Sequence, residues 1–167
     1  MRSFTAAATL GLLLGAVPGA AATAEVVRTP LPGGSTFPIA AAVEVPAGKS
    51  IVFLSGMVPT VANPDAPANT PAAYGDTQTQ TAAVLDVIDR QLQALGLTMG
   101  DVVKMQVFLV GDADKDGRMD FNGFMDAYKR YFGTGEQPNL PARSTMQVAA
   151  LANPGFLVEI EVTAVRP

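Results

Sequence analysis

The chain has 167 residues, of which 11 are basic and 15 acidic, and it contains neither histidine nor cysteine. A Ser/His/Asp triad, a cysteine nucleophile, a His/Cys zinc site and a disulfide framework are thereby excluded. The net charge of −4, without a clustered basic stripe, speaks against a nucleic-acid partner, so any chemistry must run on carboxylates, arginine, hydroxyls, backbone groups and water.

Residues 1–24 read as an export signal. Arg2 gives a short positive region, Ala6 to Val17 an apolar run, and Ala22-Thr23-Ala24 a small-x-small cleavage site before Glu25. The run is too short to span a bilayer and ends at Pro18-Gly19. The expectation is a soluble, periplasmic or secreted domain of residues 25–167, with a net charge of −5 once Arg2 is removed and no membrane partner. A domain of this size buries roughly two thirds of its unfolded surface.

Residues 25–35, with Pro30, Pro32, Gly33 and Gly34, read as a leading loop. Strand-like composition over 36–45 and 50–57, separated by Pro46-Ala47-Gly48-Lys49, predicts a hairpin. Pro59, Pro64, Pro67 and Pro71 leave no room for a helical turn or a ladder between them, so 58–75 reads as loop. Asp76 then caps an amphipathic helix carrying Val84, Val87, Ile88, Leu92 and Leu95, which Gly96 ends. A strand over 103–110, a helix over 119–132 and strands over 143–149 and 156–165 complete an α+β layout with two helices on one face of a sheet.

Two further patterns bear on function. Alternation places Phe156, Val158, Ile160, Val162 and Ala164 toward the helices and Glu159 and Glu161 on the other side. Arg143, Thr145 and Gln147 share one side of their strand; if it is the side of the two glutamates, an arginine and two carboxylates converge, and otherwise the strand carries an ordinary solvated face. Asp112, Asp114, Asp116 and Gly117, with Asp120, match the opening of a calcium loop, but Gly123 stands where the bidentate glutamate belongs. An acidic turn leading into the second helix is the other reading.

Several stretches together resemble the Rid (YjgF-like) family of enamine/imine deaminases. They are Phe53-Leu54-Ser55-Gly56-Met57-Val58-Pro59, Gln78-Thr79-Gln80-Thr81, Leu95-Gly96-Leu97, Asp101-Val102-Val103-Lys104, Asp120-Phe121, Tyr131-Phe132, Pro141-Ala142-Arg143-Ser144-Thr145 and Val158-Glu159-Ile160-Glu161-Val162. The resemblance implies a chorismate-mutase-like α+β domain with a mixed sheet, assembled as a homotrimer with clefts between subunits. It also implies hydrolysis, without metal or cofactor, of 2-imino or enamino acids of the 2-aminoacrylate type to 2-keto acids and ammonia. By that resemblance Arg143 anchors the substrate carboxylate, a task suited to its planar fork, and Glu159 handles water. Gly56 and Thr145 line the cleft. Ile39, Met57 and Met125 stand where the family's deaminases carry polar groups, which implies a more apolar cleft and an imine with a hydrophobic side group. The same cleft could serve a non-catalytic protein that binds small carboxylates.

Overall fold

A computed structural model describes residues 24–167; the segment 1–24 read as an export signal lies outside the described residues apart from Ala24. Six strands form one mixed sheet: β1 (Val27–Pro30), β2 (Ala40–Glu44), β3 (Ile51–Phe53), β4 (Val102–Val110), β5 (Ala142–Val148) and β6 (Val158–Val165). Their order across the sheet is β1-β2-β5-β4-β6-β3, with β5 parallel to both β2 and β4 and the other pairs antiparallel. Among the described residues three α-helices accompany the sheet: α1 (Pro71–Tyr74), α2 (Thr77–Ala94) and α3 (Phe121–Tyr128).

The helix α2 forms where its apolar spacing predicts. The Asp76 carboxylate accepts a bond from Thr79 N at 2.8 Å, satisfying one of the donors that a helix start leaves free. Val84, Leu85, Ile88 and Leu92 are fully buried against the sheet, where Met105, Val107 and Leu109 of β4 and Val158 and Ile160 of β6 meet them. Each such side chain contributes about 1.5–3 kcal/mol by leaving water. Gln80, buried in this interior, keeps its amide satisfied: Nε2 donates to the carbonyls of Gly75 (2.9 Å) and Gly155 (3.0 Å), and Oε1 accepts from Leu157 N (2.7 Å).

Three expectations need correction. The hairpin exists, but one strand earlier. The segment read as a leading loop forms β1, which pairs with β2 through Val27↔Glu44 and Arg28↔Val43, while β3 lies at the opposite edge against β6. Gly33 and Gly34, both at φ 71°, supply the left-handed turn that folds β1 back. The proline-rich stretch also holds a helical turn, since Pro71 occupies the first position of α1, where its missing N–H costs nothing. Finally, α3 spans eight residues, shorter than the 119–132 segment predicted for it.

Candidate functional site

The strand registers decide which candidate residues can meet. Met105↔Arg143, Val107↔Thr145 and Leu109↔Gln147 are partners across β4 and β5, so Arg143 and Thr145 project from the helix-covered face. Across β4 and β6 the partners are Gln106↔Glu161 and Phe108↔Glu159, which places both glutamates on the opposite, uncovered face. The conditional convergence of Arg143 with the two carboxylates therefore does not occur within one protomer. Two separate clusters result.

The first is built around Arg143. Its Cζ lies 4.3 Å from the ring centroid of Tyr128, 4.9 Å from Phe124 and 5.5 Å from Phe37, and Nη2 lies 3.2 Å from the Met125 sulfur. Phe124, Met125 and Tyr128 come from α3, whose first turn is fixed by the Asp120 carboxylate accepting from Gly123 N at 3.1 Å. The Tyr128 hydroxyl donates to Pro38 O at 2.9 Å and so holds the Phe37 segment against the helix. Burial pushes the Arg143 pKa down, the neighbouring Tyr128 pushes it up, and no carboxylate contributes. Burial raises Tyr128 to about 12, with Arg143 pulling the other way. Arg143 Nη1 and Thr145 Oγ1 are both buried without a hydrogen-bond partner among the described residues. Aromatic faces attract a cation by about 2 kcal/mol when desolvated, less than the several kcal/mol that burying an ion costs. The cage thus positions the guanidinium and leaves a donor unspent.

The second cluster pairs Gly56 with Glu159. Met57 bridges Ile160 through two backbone bonds of 2.9 and 3.0 Å, and Leu54 N donates to Val162 O at 3.0 Å, so Ser55 and Gly56 loop out of the ladder beside Glu159. A Cβ on Gly56 would overlap Glu159 Oε1 and stand 2.9 Å from its Cδ, so only glycine admits this placement of the carboxylate. On the same face Gln106 Nε2 donates to Glu161 at 3.3 Å, and Phe53 is 78% exposed.

Of the remaining candidates, Met125 touches Arg143, whereas Ile39 lines a groove with Arg28, Phe37 and Leu140. The acidic loop is not arranged as a cation cradle. Asp112 accepts from Asp114 N at 2.9 Å, Asp120 caps α3, Asp116 sits in the left-handed region, and among the described residues no three acidic side chains gather. The sequence pattern places Phe124 and Tyr128 in a helix without marking their second task over Arg143. Their i, i+4 spacing, putting both rings on one side, is the available signal.

The family model described as endoribonuclease L-PSP matches residues 35–166. Among curated relatives, the 3-aminoacrylate deaminase RutC of Acinetobacter baylyi is 31% identical over 134 residues, covering 80% of this chain and 94% of its own. Among solved structures, Escherichia coli TdcF with bound serine superposes with a TM-score of 0.54 at 32% identity, covering 84% of this chain and 94% of that one. YyfB of Yersinia pestis, from the conserved Rid protein family, gives 0.61 at 25% identity, covering 83% and 98%.

Proposed function

We propose, from the premise that this chain belongs to the Rid (YjgF-like) family, that it is an exported deaminase of reactive 2-imino and enamino acids. Membership rests on the family match over most of the chain and on relatives named as deaminases. The observation that carries the residue assignment is the buried, unpaired Nη1 of Arg143, a charged donor for which a substrate carboxylate is the natural partner. In this reading the imine carbon is attacked by water, whose proton passes to Glu159. Glu159 then returns that proton to the nitrogen of the resulting carbinolamine, the carbon–nitrogen bond breaks to release ammonia, and the hydroxyl proton passes to the once more ionised Glu159 as the carbonyl of the 2-keto acid forms. Because Arg143 and Glu159 occupy opposite faces of one sheet, the reading requires that they come from different copies of the chain, which the homotrimer implied by the resemblance would supply. The acidic net charge argues against RNA as substrate, despite the name of the family model.

Coupling an amino-acid oxidase to the purified protein and following imine loss tests the activity. Arg143→Ala removes charge-assisted bonds of about 1.5–3 kcal/mol each and is expected to lower kcat/KM by about 10²-fold or more. Arg143→Ala and Glu159→Gln protomers, each inactive alone, should recover about a quarter of the activity when refolded together, the fraction of intact sites under random assortment in a ring. Equal rates for wild type, Arg143→Ala and buffer would favour the non-catalytic reading, in which the same donor binds a small carboxylate. Export is supported by the pattern of residues 1–24 and is checked by sequencing the mature N-terminus from the extracytoplasmic fraction.

A further inference from the structure

We infer that the side group of the substrate occupies the groove between the β1–β2 turn and residues 138–140, and that the protein therefore favours 2-imino acids with branched or aromatic side groups; this rests on the deaminase reading. The groove measures about 320 Å³, at the small end of ligand pockets and suited to one side group rather than a whole cofactor. Its apolar lining comes from Pro30, Leu31, Phe37, Ile39, Ala40 and Leu140. Arg28 also reaches it, but its Nε and Nη2 donors are committed to the backbone carbonyls of Leu140 (3.2 Å), Gly100 (2.9 Å) and Val102 (3.2 Å).

Phe37 links this groove to the candidate anchor. It lines the groove, lies 5.5 Å from Arg143 Cζ and stacks on Phe121 at 6.4 Å, yet remains 39% exposed, so a ligand can reach it. A 2-imino acid held at Arg143 by its carboxylate has its side group only two bonds away, within the reach of that ring. A methyl group would leave the groove mostly filled with water. An isobutyl or benzyl group would displace that water and bury apolar surface.

The experiment compares kcat/KM of the wild-type protein for imines generated by an amino-acid oxidase from alanine, leucine and phenylalanine, together with calorimetric binding of pyruvate, 4-methyl-2-oxopentanoate and phenylpyruvate. The larger groups are expected to win by about 10- to 100-fold in kcat/KM, with the same order in affinity. Ile39→Asp should bring that ratio toward one; if this variant fails to fold, Leu140→Ser asks the same question. Equal or inverted preference in an active wild type overturns the inference and leaves the deaminase reading standing. Loss of turnover on every imine, with phenylpyruvate still bound more tightly than pyruvate, sinks the deaminase reading and supports the groove; neither turnover nor selective binding overturns both.

Discussion

The strands β5 and β6 flank the same central strand, yet the two functional candidates they carry live in different physical worlds. Arg143 sits under α3 among three aromatic rings, with its pKa lowered by burial. Glu159 stands on the uncovered face beside a glycine that makes room for it. The covered side fixes a charge through packing, so damage there should register first in stability. The open side relies on clearance around one carboxylate, so damage there should register first in activity.

The largest effect is expected from Tyr128→Ala, which empties a fully buried site under the guanidinium and should cost about 3–5 kcal/mol in a urea melt. A loss below 1 kcal/mol would mean that the cage is not packed as described. Next, Gly56→Ala on the open side should leave stability within about 1 kcal/mol, because the obstructed atoms are the far end of a flexible side chain. On the role proposed for Glu159 it should nevertheless cut kcat/KM by about 10²-fold, because the carboxylate is displaced. A drop in stability with intact activity would reverse the contrast.

The third effect is alkaline. Burial raises the pKa values of Tyr128 and Tyr131 to about 12, above the ordinary tyrosine value of 10.0, and the Asp86 carboxylate adds to the rise at Tyr131. Folded values above unfolded ones favour the protonated, folded form. This contribution is complete below pH 10 and is lost as pH climbs through about 12. Denaturation midpoints should fall across that window, less steeply in Tyr128→Phe. A flat profile would contradict the burial of Tyr128.

The smallest effect is a control at a residue that belongs to neither cluster. Asp76→Ala should cost about 1 kcal/mol of stability at neutral pH and leave imine hydrolysis unchanged. The bond from Thr79 N holds the Asp76 pKa below the ordinary value of 3.8. The cap therefore acts above that value and fades as pH falls through the lower, folded one, so mutant and wild type should converge in acid. Persistence of the difference there would show that the carboxylate is not the source.

The helix α2 and the strands β4 and β6 were legible because their signals are local: an aspartate cap, a three-or-four spacing, a run of alternating residues. The hairpin was misplaced because Pro32-Gly33-Gly34 marks a turn without saying which strands it joins, and Pro46-Ala47-Gly48-Lys49 looks equally suitable. The relation between Arg143 and Glu159 was beyond reach for a different reason. Alternation states which residues of one strand share a side, but the common side of β5 and β6 depends on how each aligns with β4. The aromatic cage is not legible in the sequence because the Phe37 segment and α3 meet through a tyrosine hydroxyl and a proline carbonyl that are 90 residues apart.

The alignment of β5 with β4 makes the chain sensitive to parity. Inserting a single residue between Ala142 and Arg143 while Ala142 keeps its place opposite Lys104 would move Arg143 from Met105 to Gln106 and swing the guanidinium out from beneath α3 to the other face, whereas two would return it to its original side. Added length should therefore be tolerated in the connection 133–141 ahead of the strand, where the register of β5 can be kept, and not within the strand itself, which gives engineers a simple rule for where the chain can be lengthened.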